Sequence, residues 1–195
     1  MANDLVPTPA DVDLFLGSPA GVSQGVLDAA VAAVREHCRW HIAPVRTETF
    51  DRVDSDGRIL RVPSLRLLDV VGVAERIGGV LGAPSTAGVE WSVAGLICRA
   101  AGFAAGWGRW SVEVEHGFDV DDVSDVVMVV CQLATRMQRA VDAAAAGPTA
   151  SVAEEQIGQY RYRLADNAVV AAGGGVGLTP AEERWIERRR LVVEP

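Results

Sequence analysis

One stretch limits the possible folds more than any other. Val123, Val126, Val127, Val130, Leu133, Ala134, Met137 and Val141 recur at helical spacing, which sustains one apolar stripe over about five turns. Asp119, Asp121, Asp122 and Asp125 precede or open this stretch, and Gly147-Pro148 closes it. Carboxylates there complement the positive end of the helix dipole. A helix with such a stripe must bury it against a partner. The best candidate lies near the start of the chain, where Leu27, Val31, Val34 and Cys38 form a second stripe ahead of Pro44. The spacing therefore predicts an α+β chain with a helical core: a long helix near 121–145 packed with a helix near 24–41.

Between these helices the pattern changes. Thr47-Glu48-Thr49-Phe50 alternates, Asp54-Ser55-Asp56-Gly57 has turn composition, and Arg58 to Val62 reads as the returning strand of a hairpin. Further strands are predicted at Leu68–Ile77, Val89–Val93, Leu96–Arg99 and Trp110–Glu115, with glycines marking the turns between them. A small antiparallel sheet inserted over 45–117 is the expectation. Two short helices complete the picture. Thr8-Pro9-Ala10-Asp11 and Thr179-Pro180-Ala181-Glu182 each combine a hydroxyl cap, a proline at the first helical position and a carboxylate three residues after the cap. They predict helices over 9–16, stopped by Gly17-Ser18-Pro19, and 180–191. The run Gln156–Tyr162 is strand-like, and Gly173-Gly174-Gly175-Val176-Gly177 has the composition of a flexible joint. The predicted organisation is one domain over 1–146 and an extended C-terminal arm over 147–195.

Composition excludes several classes. With 195 residues, 49% of them hydrophobic, the chain can bury about 70% of its unfolded surface, and wholesale disorder is excluded. The longest uncharged run, Asn167 to Ala181, is too short to span a bilayer and contains Pro180. Met1-Ala2-Asn3-Asp4 lacks the basic-then-apolar pattern of a secretory signal. Cys38, Cys98 and Cys131 are odd in number and widely spaced, so they read as reduced core thiols of a cytosolic protein. The net charge of −8 argues against broad binding of nucleic-acid phosphates.

Each motif that suggests chemistry lacks part of its requirement. Gly21-Val22-Ser23-Gln24-Gly25 matches a hydrolase nucleophile elbow, the basis of an alternative reading as a small serine hydrolase. That motif needs a buried strand before the serine, however, and a loop stands there. Ser23 reads as a helix cap. His37, Cys38 and His41 could share a metal at one helix end, but no third and fourth ligand follow at suitable spacing. Asp54-x-Asp56-Gly57 lacks two calcium ligands, since Arg52 and Pro63 stand at the outer positions. The glycine run fits no phosphate-binding pattern. No triad, dyad or redox pair emerges, so neither enzymatic activity nor a cofactor is expected. Two charged sets remain. Glu113, Glu115, Asp119, Asp121, Asp122 and Asp125 lie in one stretch without an arginine. Arg184, Arg188, Arg189 and Arg190 accompany Trp185 and Ile186, a composition that interface hot spots use.

Several segments in order carry a resemblance. They run from Cys38-Arg39-Trp40-His41-Ile42-Ala43-Pro44 through Thr47–Phe50 and Asp56–Pro63 to Val89–Leu96 and Trp107–Val114. The valine-rich helix, Glu155–Tyr160 and Leu178–Glu182 follow. This order resembles the head-to-tail adaptor (connector) proteins of long-tailed bacteriophages. The resemblance covers almost the whole chain and implies a helical core bearing a β insertion. It also implies a homo-oligomeric ring, usually of twelve copies, located in the virion neck after synthesis in the host cytoplasm. Such a ring sits beneath the portal protein, offers a platform to the stopper or tail terminator, and continues the channel through which DNA passes without sequence-specific binding. Stopper and tail-terminator proteins are the nearest alternative. They are usually more strand-dominated, and the helix over Val123–Val141 argues against them.

Twelve copies at −8 each would carry about −96 in total, a field that repels sliding DNA rather than trapping it. The six acids are therefore expected at the lumen or at a subunit seam. Arg184, Trp185, Ile186, Arg188, Arg189 and Arg190 are expected to dock on the portal from an arm that swings on the glycine joint.

Overall fold

The computed structural model describes residues 8–16, 21–145, 154–157, 160–163 and 176–191. It is α+β, and the chain divides into two compact units. One comprises Met1–Val34 with Asp125–Trp185, the other Arg35–Ser124 with Ile186–Pro195. Residues 186–191 fall in the second of these units.

The first unit is mainly helical. Helix α1, Pro9–Leu16, starts where the sequence places it. Thr8 N–H and Oγ1 donate to Asp11 Oδ2 at 3.0 and 2.6 Å, the reciprocal closure of a capping box. Helix α2, Gln24–Cys38, buries Leu27, Val31, Val34 and Cys38 as its spacing predicts. It stops short of residue 41 because Arg39 adopts φ 65° and its N–H closes onto Arg35 O at 2.8 Å. A left-handed residue at this position ends a helix without any proline. Helix α3, Ser124–Ala145, follows a 3-10 turn over Val120–Val123. Its buried face is wider than the predicted stripe, since Val129 and Cys131 join it, while Val141 is exposed. The last turns of α3 therefore leave the core.

The second unit holds a sheet much larger than the predicted small insertion. Strands β1 (Arg46–Ser55), β2 (Ile59–Arg61), β3 (Leu67–Ile77), β4 (Val80–Leu81), β5 (Val89–Trp91), β6 (Leu96–Arg99) and β7 (Gly106–His116) form one antiparallel sheet. Their order is β4-β3-β7-β1-β2-β6-β5. Alternation sets the inward face: Val112 and Val114 of β7 are fully buried, whereas Glu113 between them and Glu115 beyond are not. The sheet curls, because Leu67 N–H at the start of β3 donates to Val93 O just beyond β5 at 2.8 Å. Leu60, Val70, Ile97, Phe103, Trp110 and Val112 fill the space it encloses. Cys98 faces outward and is exposed, because its neighbour Ile97 takes the inward position; only Cys38 and Cys131 are core thiols.

In place of one strand-like run, Glu154–Ile157 (β8) and Tyr160–Arg163 (β9) pair as an antiparallel two-stranded sheet. Residues 17–19 and 173–175 of the predicted stop and joint lie outside the described residues. Helix α4 spans Pro180–Ile186 and passes into a 3-10 turn over Glu187–Arg189. Among the described residues no helix is long and apolar enough to cross a membrane.

Candidate functional site

At the end of the sheet unit where β7 stops, β1 and β7 bring together side chains far apart in sequence. Arg46 lies opposite His116 and Glu48 opposite Val114. His116, fully buried, approaches Glu48 Oε2 with Nε2 at 3.0 Å, and Arg46 Nη2 approaches the same oxygen at 2.5 Å. A carboxylate only accepts, so Nε2 of His116 carries the proton. His41 Nε2 likewise donates to Pro44 O at 2.5 Å. The two imidazoles stand 5.6 Å apart, with Trp40 and Phe50 also against His116. Among the described residues both Nδ1 atoms are buried without a hydrogen-bond partner, so no acceptor stabilises a second ring proton.

Burial pushes His41 down to about 4, with Arg46 and Arg35 adding to the effect against its bond to Pro44. His116 is also lowered, chiefly by burial, with Glu48 opposing. Burial alone would raise Glu48, but its hydrogen bonds from Arg46 and His116 outweigh this and hold it below the ordinary carboxylate range. The cluster is an apolar imidazole pair closed by one ion pair. Its hydrogen bonds tie β1, β7 and the segment before β1 together as one hub.

The metal reading gains no ligand set. Arg39 interrupts the helix between His37 and His41, so the two do not stack on one helix face. Among the described residues no group of three His, Cys, Asp or Glu side chains is placed to hold a metal ion. The Asp54–Gly57 segment is the hairpin turn expected, with Asp56 Oδ1 accepting from Arg58 N and Ile59 N at 2.8 and 2.9 Å. Ser23 stands just before α2; its carbonyl accepts from Leu27 N and its own N–H donates to Gln138 Oε1. Among the described residues no imidazole is one of its hydrogen-bond partners.

The six acids do not form one cluster. Glu113 and Glu115 sit on the outward face of β7, where Glu115 lies beside Asp69 of β3. Asp119, Asp121 and Asp122 are exposed on the loop and 3-10 turn that follow, and Asp125 opens α3 partly buried.

The C-terminal residues are held by their own chain. Within the helical unit Arg136 grips Glu182 with two bonds, of 2.5 and 2.8 Å, while Thr179 caps through the same carboxylate. Burial works against the Glu182 carboxylate, but Arg136 and Thr179 hold it lowered. Within the sheet unit Trp40 Nε1 donates to Arg189 O at 2.6 Å, Leu191 N–H donates to Cys38 O, and Arg189 lies over the Phe118 ring at 4.4 Å. Ile186 is fully buried. Of the predicted docking set, Arg184, Trp185 and Arg188 are exposed, Arg189 and Arg190 are half-buried, and Ile186 is core.

Two exposed features escape the sequence reading. The tip where β3 turns into β4 presents Ile77, Val80 and Leu81, which are 66%, 73% and 44% exposed. A hollow of about 800 Å³ in the same unit is lined by Phe50, Arg52, Ile59, Arg61 and Trp107, and Trp107 is 92% exposed. Glycine neighbours disguise Trp107 as a turn residue, and nothing local announces the φ of 60° at Arg52. No protein-family model and no curated protein sequence matches this chain.

Proposed function

We propose that this chain is a structural, non-catalytic subunit of a bacteriophage neck. It assembles as a ring, of twelve copies in the form the resemblance implies, beneath the portal, joins capsid to tail and continues the DNA channel. The observation that carries this reading is the apolar tip formed by Ile77, Val80 and Leu81, paired across a two-glycine turn and left in water. A contiguous exposed apolar patch marks a surface meant for a partner. The order of segments that resembles head-to-tail adaptors supplies the kind of partner. In the same reading the buried stripes of α2 and α3 pack on each other as the helical core. The acids Glu113, Glu115, Asp119, Asp121, Asp122 and Asp125 serve the lumen or a seam, where negative charge keeps DNA sliding.

Portal docking falls to the exposed part of the C-terminal set, Arg184, Trp185 and Arg188, because Ile186 is buried in its own chain. Trp185→Ala with Arg184→Ala is expected to weaken portal binding more than tenfold in a pull-down and leave the fold intact. Unchanged binding would remove the docking assignment. Deletion after Gly177 is the poorer test, since it also removes Glu182, Ile186 and the bond to Trp40.

A second reading, a stopper or tail terminator in the same neck, is favoured by one feature. The seven-stranded sheet is richer in strand than a small insertion, so helix length no longer separates the two. Direct binding to isolated portal selects the adaptor; binding only to a portal–adaptor complex selects the stopper.

A further inference from the structure

Arg52 and Arg61 rim the hollow beside Trp107, over an apolar floor that includes Phe50, Ile59 and Pro63. The acids nearby are committed elsewhere. Asp54 Oδ1 accepts from Gly108 N at 2.6 Å, Asp51 Oδ1 from Ser111 Oγ at 2.8 Å, and Asp56 closes its own turn. Asp56 still feels the charge of Arg61 through space. Neither Arg52 nor Arg61 has an ion-pair partner among the described residues. The chain also accepts backbone strain here: Arg52 sits at φ 60° where β1 bulges against β7. Strain held at one exposed arginine is a recurrent mark of a working surface. An exposed tryptophan flanked by two uncommitted guanidiniums is a binding hot spot for carboxylates.

The same unit carries the matching charge at its other end. Asp119, Asp121 and Asp122 are exposed, and none of their carboxylates has a partner among the described residues. The hollow lies beside Trp107 and Gly108 at the start of β7, whereas the aspartates follow its last residue, His116. Eight residues of strand separate Gly108 from His116, roughly 25 Å. The two patches cannot meet within one copy. We infer that they meet between copies: the Arg52–Arg61–Trp107 hollow of one copy receives the Asp119–Asp122 loop of the next. Two different patches at opposite ends of one body make a head-to-tail contact, which generates closed rings or open filaments. This inference rests on the proposed ring and names the contact that builds it.

A charge swap tests it. Variant A carries Arg52→Glu and Arg61→Glu; variant B carries Asp119→Arg and Asp121→Arg. Asp119 makes no side-chain cap bond, so its replacement removes no helix cap, and circular dichroism checks both folds. Native mass spectrometry and sedimentation at low salt read the outcome. The wild-type chain is expected to form multimers that dissociate as salt rises, and each variant alone to associate more than tenfold more weakly. The A and B mixture restores assembly, because each reversed patch then faces its opposite. Wild-type protein that stays monomeric, or variants that assemble as well as wild type, would overturn the contact. In the second case the ring reading survives through another interface; open filaments that follow the swap keep the contact and reject ring closure. Trp107 fluorescence quenched by an oligonucleotide at physiological salt, with assembly untouched by the swap, would instead assign the hollow to nucleic acid.

Discussion

His116 and Glu48 are bonded across the β1–β7 pair although the direct register partner of His116 is Arg46. The buried histidine thus reaches diagonally to a half-buried acceptor that Arg46 already neutralises. The arrangement favours neutral imidazoles, which makes this end of the sheet sensitive to acid.

His41 titrates near 4 in the folded chain against an ordinary 6.5. Between these values the unfolded state binds more protons, so stability contributed by the neutral ring is complete above pH 6.5 and lost as pH falls toward 4. The shift corresponds to about 3 kcal/mol over that window, and lowering of His116 acts in the same direction. Urea unfolding at pH 7, 6 and 5 should show a midpoint that declines steadily. His41→Gln, which retains a donor for Pro44 O, should flatten the decline. A midpoint constant from pH 7 to 5 would contradict neutral burial of these rings.

Glu182 is 4% exposed and ties α4 to Arg136 while closing the cap with Thr179. Glu182→Ala leaves a guanidinium that has lost its partner and should cost about 3 kcal/mol. Thr179→Ala removes only the cap and should cost about 1 kcal/mol. Equal losses in thermal or urea unfolding would mean that the arginine pair contributes nothing.

Gly95 adopts φ 77°, and a Cβ there would stand 2.5 Å from Val62 O and 2.7 Å from Ser64 O. Both neighbours are backbone at the seam where the sheet curls, so neither yields cheaply. Gly95→Ala should destabilise the sheet unit by roughly 3 kcal/mol or more. Gly78→Ala, also at positive φ but facing open space, should cost about 1 kcal/mol. Comparable effects would argue against the tight approach at Gly95.

Local signals in the sequence translated well into structure. The boxes at Thr8–Asp11 and Thr179–Glu182 close as read, because each depends only on residues three apart. The stripe Leu27–Cys38 is buried for the same reason: helical spacing is a local property. The misreadings involve long-range choices. Val80–Leu81 is too short for any periodicity, and Gly106 and Gly108, which resemble turn residues, instead lie within β7, Gly106 opposite Ser55 of β1. The extent of the sheet therefore stayed hidden. Helical spacing carries α2 to about residue 41, whereas Arg39 ends it earlier through its own backbone conformation. The His41–His116–Glu48 hub exists only because β1 and β7 align, and no spacing along the chain foretells that register.

The mass of the purified chain, measured with and without the portal protein, decides whether it builds a ring on the portal. A discrete ring-sized multimer is expected, present alone or appearing when portal is added, and bound to portal in either case. A monomer that neither self-associates at high concentration nor changes in the presence of portal would contradict it.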